Sequence, residues 1–139
     1  LRCVLANPSV IVGNNGSNIL DGRGGNDIIY GLGGVDYFTF STVPNTGTNI
    51  DTIADFVSAD DLFFLDNPAF AGMAAGFLAA NGFLSGAGLT SAATAAQRVI
   101  HNSTTGDLYY DQDGVGGIGS LRFANIGAAA VFNFDFFGI

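Results

Sequence analysis

A chain of 139 residues that is 48% hydrophobic and holds 13 Phe can bury a sizeable core, which suits one domain and excludes wholesale disorder. Its net charge of -8, with pI near 4.1, repels phosphate backbones and anionic lipid surfaces and so argues against a nucleic-acid partner. One Cys excludes an internal disulfide.

All twelve acidic residues are Asp and all four basic ones are Arg. Asp is short and bonds its own backbone, so it belongs in turns rather than on helix surfaces, and the chain leans towards strands and loops. The opening LRCVLANPSVIV shows no small-residue cleavage region and starts at Leu, so the chain reads as a piece of a longer protein. Cys3, within it, is expected to be a free thiol.

From residue 13 the sequence falls into copies of nine: GNNGSNILD, GRGGNDIIY and GLGGVDYFT. The first column is Gly13, Gly22 and Gly31, the fourth Gly16, Gly25 and Gly34, the sixth Asn18, Asp27 and Asp36, and the eighth Leu20, Ile29 and Phe38. Glycine lets the first six residues bend tightly and aim carbonyls at one point, while the large apolar residue of a short strand points inward. Two copies complete one coil, so alternate copies stack at strand spacing, about 4.8 Å apart. Between stacked bends lies a cage of carbonyls and carboxylates, which suits Ca²⁺ with its six to eight oxygen ligands at about 2.3–2.6 Å. Ordinary hairpin turns would explain the glycines, but neither the fixed spacing nor the stacked carboxylates without basic partners.

These copies resemble the repeats-in-toxin (RTX) proteins of Gram-negative bacteria, which are exported by type I secretion. The resemblance implies one calcium site made by Asn14, Gly16 and Asn18 with Gly31, Gly33 and Asp36. A second begins with the Arg23 carbonyl, Gly25 and Asp27. Asn18 stands where the family has Asp, which removes one negative charge from the first site. The second lacks a regular fourth copy, since FSTVPNTGTN at 40–49 loses the glycines. NIDTIADF at 49–56 matches the segment that closes this gap in the family, making Asp51 the implied ligand and Asn45 a weaker candidate. A solvated strand face is the alternative for Asp51 and Asp55.

DLFFL at 61–65 reads as a strand after a turn at Ser58–Asp60. The uncharged run from Asn67 to Gln97 is broken by Asn81, Ser85 and several glycines, each costing a helix about 1 kcal/mol relative to Ala. A short helix and loop covering the end of the roll is therefore expected rather than a membrane span. From Gln97 onward RVIHN, DLYYD and SLRFANI read as antiparallel strands. Asp111, Asp113 and Gly114 imitate the start of an EF-hand, but its twelfth position is Arg122 in place of the bidentate Glu. Gly114, Gly116 and Gly119 imitate a dinucleotide fingerprint with no helix to follow. LYYDQDG at 108–114 and the tail Asp135–Ile139 are similar to the family's terminal unit, where the tail is an uncleaved export signal; a docked last strand would look the same.

His101, the only His, is expected to be structural, and neither H-E-x-x-H nor G-x-S-x-G is present. Asp60 and Asp61, if in a strand, face opposite sides and share no substrate. The expected architecture is all-β: a short right-handed parallel β-roll with its closing strands over 1–66, continued by a β-rich C-terminal cap with a short helix over 67–139, one structural domain. The expected function is that of a non-enzymatic, calcium-binding RTX domain of a larger secreted protein. It would fold on Ca²⁺ outside the cell and support export by an ABC-type type I machinery. The alternative is a module attached to an extracellular protease or epimerase, stabilising it or binding a polysaccharide such as alginate through Tyr30, Tyr37, Tyr109 and Tyr110.

Overall fold

Each short strand alternates one apolar residue that must be hidden with neighbours that need not be, and the chain satisfies this by winding. The computed structural model describes residues 2–4, 8–45 and 47–139, with the side chains of 2–4 outside the description. The thiol of Cys3 and most of the opening segment's expected features thus lie outside the described residues.

Strands β1 (Arg2–Val4), β3 (Asn18–Asp21), β5 (Asp36–Phe40) and β7 (Leu62–Leu65) lie side by side and parallel in one sheet. Strands β2 (Val10–Val12), β4 (Ile28–Tyr30) and β6 (Asp51–Ile53) do the same in a second. The chain alternates between the sheets, so every bend runs from one to the other. Equivalent columns of the repeat are in register: Asn18 opposite Asp36, Leu20 opposite Phe38, Ile11 opposite Ile29. The eighth-column residues form the core. Leu20, Ile29 and Phe38 are buried together with Ile11, Ile53 and Phe63, which hold the same place in their own coils. Each such side chain contributes roughly 1.5–3 kcal/mol by leaving water.

The C-terminal half completes both sheets. β12 (Leu121–Asn125) pairs parallel with β6, and beyond it lie β11 (Asp107–Tyr110), β10 (Val99–Asn102) and β9 (Phe83–Gly86). β13 (Phe136–Gly138) pairs parallel with β7, setting Phe136 opposite Phe63, and β8 (Gly76–Phe77) closes that side antiparallel to β13. Phe56, Phe63 and Phe136 stack in turn, with centroids 4.4 and 5.1 Å apart, so the phenylalanines of roll and cap share one core.

The short helix expected between 67 and 97 is reduced to a single 3₁₀ turn. Among the described residues there is no α-helix, only 3₁₀ turns at Ala80–Gly82 and Asn133–Asp135. The segment has no stripe of helical period; instead Phe70, Met73 and Leu78 drop singly into the core, and the backbone between them turns. No helix of the described residues is long and apolar enough to cross a membrane.

Candidate metal centre

The bends lie along two edges. Residues 13–17, 31–35 and 54–61 stack along one; 22–26 stack along the other with 41–45 and 47–50. Along each edge the sixth-column residue is tied to the next tier. Asn18 N donates to Asp36 Oδ1 and Asp36 N to Asp61 Oδ1, both at 3.0 Å; on the opposite edge Asp27 N donates to Asp51 Oδ1, also at 3.0 Å. All five side chains are buried. Among the described residues the only ion pair is Arg122 with Asp107 at 3.4 Å, and neither belongs to this ladder.

A carboxylate held this way folds back over the first glycine of its own copy. A Cβ on Gly31 would stand 2.3 Å from Asp36 Oδ2, and one on Gly22 2.3 Å from Asp27 Oδ2. A methyl group at either glycine would force the carboxylate to move. The second column turns the backbone into the left-handed region at Arg23 (φ 65°) and Leu32 (φ 74°), a conformation that costs a non-glycine residue roughly 1–2 kcal/mol.

The first expected set is brought together. Asn18 Nδ2 donates to the Asn14 carbonyl at 3.0 Å, to the Gly16 carbonyl and to Asp36 Oδ1 at 2.7 Å. The tier above is in contact, since a Cβ on Gly13 would lie 2.7 Å from the Gly31 carbonyl. Gly33 sits against the side chain of Asn15. Asn18 Oδ1 and Asp36 Oδ2 are buried and have no hydrogen-bond partner.

In the second set Asp27 and Asp51 meet, while the Arg23 carbonyl accepts the Thr42 hydroxyl. Around it Ser41 donates to Asp21 at 2.7 Å, and Asn26 links to the Gly47 carbonyl and to Ile50 N. Asn45 closes its own turn by bridging to Asn49. Gly25 takes positive φ, 114°. Burial, reinforced by the charges of Asp27 and Asp21, pushes the pKa of Asp51 up to about 7; burial likewise raises Asp27 and Asp61.

Two further aspartates belong to the assembly. Asp61 does not sit in a strand beside Asp60. It precedes β7, accepts from Asp36 N and from Val57 N at 2.9 Å, and continues the ladder. Asp55 accepts from Gly31 N and Leu32 N at 2.8 and 2.9 Å, fastening the second-tier bend. The signal for Asp61 was present in the sequence, because Asp61-Leu62-Phe63 repeats the Asp-x-apolar order of Asp36-Tyr37-Phe38 and Asp51-Thr52-Ile53.

Elsewhere the polar groups have structural roles. His101 is buried with Nδ1 2.8 Å from Ser85 Oγ, and burial lowers its pKa. Asp111 and Asp113 accept backbone N–H groups within their own loop. Tyr110 is buried, donating to the carbonyls of Phe70 and Ala71, and Tyr30 and Tyr37 lie in opposite sheets; the four tyrosines do not make one row.

Ca²⁺ takes oxygen ligands and tolerates carbonyls as well as carboxylates. Among the described residues no three His, Cys, Asp or Glu side chains are grouped to hold an ion. An ion here would draw mainly on backbone carbonyls, as in the bends at 13–17 and 31–35, together with the orphaned oxygens of Asn18 and Asp36. The donors present fit calcium: they are hard oxygens, those of Asn18 and Asp36 are buried, and no basic side chain among the described residues is paired with them.

No curated protein matches the chain. Residues 10–39 match the family described as the RTX calcium-binding nonapeptide repeat (4 copies). The matched stretch is the one whose bends stack around buried carboxylates, and on that agreement residues 10–39 are RTX calcium-binding nonapeptide repeats.

Proposed function

We propose that this chain is the calcium-responsive part of a larger secreted bacterial protein, unfolded where calcium is scarce and folded where it is abundant, and so suited to export through a type I, ABC-driven machinery. One observation supports this above the rest: sixth-column carboxylates are buried with oxygens unpartnered and no cation beside them. Burying an uncompensated carboxylate is costly, and a divalent ion removes the cost.

In this reading Asn14, Gly16 and Asn18 with Gly31, Gly33 and Asp36 hold one ion, and Arg23, Gly25 and Asp27 with Asp51 a second, where the Arg23 carbonyl offers the lone pair that Thr42 leaves free. Extracellular modules bind calcium with dissociation constants of about 10⁻⁴–10⁻³ M. At a tenfold excess of ion each site adds about 1.4 kcal/mol to stability, a large share of what holds a small domain together. Circular dichroism in millimolar calcium and in excess chelator tests this. A strand-rich spectrum that collapses in chelator and returns with calcium is expected; one indifferent to both refutes it.

A second reading rests on a different feature. Tyr37, Phe64, Phe137 and Phe77 form a ladder across the outer face of the first sheet, with successive centroids 4.9, 5.6 and 4.8 Å apart. Adjacent aromatic rings, tilted or edge-on to one another, offer the apolar faces of sugar units a platform, as in a polysaccharide-binding module. Binding of alginate oligosaccharides that is lost in Phe77→Ser, with the calcium response intact, would support it; binding unchanged by that substitution removes it.

A further inference from the structure

Asn18 is 1% exposed, and its amide does an unusual amount of bonding on one side and none on the other. Nδ2 carries two hydrogens yet faces three acceptors, the Asn14 and Gly16 carbonyls of its own bend and Asp36 Oδ1 of the tier above, while the backbone N–H of Asn18 reaches the same Oδ1. Oxygens from two tiers thus converge on one nitrogen, whose hydrogens carry partial positive charge. On the other side of the amide, Oδ1 has no partner. On the opposite edge the sixth-column residue is Asp27, whose carboxylate has no N–H to offer and so cannot bond the carbonyls of its own bend; it accepts from the Ser9 backbone instead.

We propose that Asn18 is a built-in substitute for the ion: in calcium-free protein its amide ties the bend at 13–17 to the bend at 31–35, and calcium displaces Nδ2, with a half-turn of the amide bringing Oδ1 into the cage as a ligand. This rests on the reading of the first residue set as a calcium site. The two edges then differ in their need for the ion. The Asn18 edge holds without it and gains less from it; the Asp27 edge has no such substitute. An Asp at position 18 reverses the balance. Without calcium it sets a second carboxylate beside Asp36 and against two carbonyls, and with calcium it adds a full charge to the ligand set.

The test compares wild type, N18D and N18A. Thermal unfolding is followed in chelator, with trimethylamine N-oxide added so that the chains fold, and again in millimolar calcium; calorimetric titration gives calcium affinity. N18D should melt several degrees below wild type in chelator and above it in calcium, and should bind calcium roughly tenfold more tightly. N18A, lacking both the donor and the ligand, should melt below wild type in both conditions. N18D melting level with or above wild type in chelator overturns the proposal. If N18D fails to fold in either condition, N18A decides: wild-type stability of N18A in chelator overturns the proposal, and a lowered one upholds it. Calcium that shifts none of the three proteins overturns the calcium site itself, a result distinct from either of these.

Discussion

At Asp36 one carboxylate oxygen takes two N–H···O bonds from Asn18 while the other has no partner, and the backbone glycine beneath it leaves no room for a methyl group. Gly31→Ala is therefore expected to push the carboxylate out of place, lowering stability by roughly 2 kcal/mol or more and weakening calcium binding; urea denaturation in calcium, with titration alongside, measures both. Leu32 makes the opposite case. It is exposed, holds φ 74°, and packs little, so Leu32→Gly relieves left-handed strain and should stabilise by up to about 1 kcal/mol in the same experiment. Asp61→Ala strips the acceptor from the buried Asp36 amide and from the part-buried Val57 amide, and should cost roughly 1–3 kcal/mol, chiefly for the buried donor. The glycine and Asp columns were plain in the sequence because the nonapeptide spacing repeats them. Asp61 was harder to see because the connection before it is longer than a repeat, and only its Asp-x-apolar order ties it to the ladder.

Among the elements, strands carrying one large inward residue were legible wherever that residue followed an Asp by two, as in β4, β5, β6 and β7. The segment 67–97 was not legible. Its apolar residues show no period, and their destination is set by holes in the core that only the assembled sheets define. The partners of β12 and β13 were equally hidden, since a strand's own pattern shows which face is buried but not which neighbour it joins. Phe63 lies at the meeting point, touching Phe38, Phe40, Phe56 and Phe136. Phe63→Ala should cost about 3–5 kcal/mol, read as a lowered denaturation midpoint in calcium, because a rigid stack of rings closes poorly over the cavity.

For the molecule as a whole, buried aspartates link folding to pH as well as to metal. The pKa of Asp51 rises from an ordinary value of 3.8 when unfolded to about 7 when folded, and burial raises Asp27, Asp61, Asp111 and Asp135 in the same direction. Between those two values the folded chain binds more protons than the unfolded one, so stability falls as pH rises through the window. In chelator, with trimethylamine N-oxide present so that the chain folds, the melting temperature should consequently be higher at pH 5 than at pH 7.5. Calcium should shrink that difference by supplying at pH 7.5 the positive charge that protons supply at pH 5; a melting temperature that climbs with pH in chelator contradicts this.

The parallel seam between β7 and β13 pairs Phe63 with Phe136, about half the chain away, and the seam between β6 and β12 pairs Asp51 with Ala124 at a similar remove. Coils of the roll can zip up one upon the next through near neighbours, but these two closures demand that a long loop be gathered first, and loop gathering is slow. Refolding should thus run in two tempos, a quick winding and a late sealing. Until the seal is made, the growing end of the stack stays sticky, with Phe63 and the bare edge of β7 facing water.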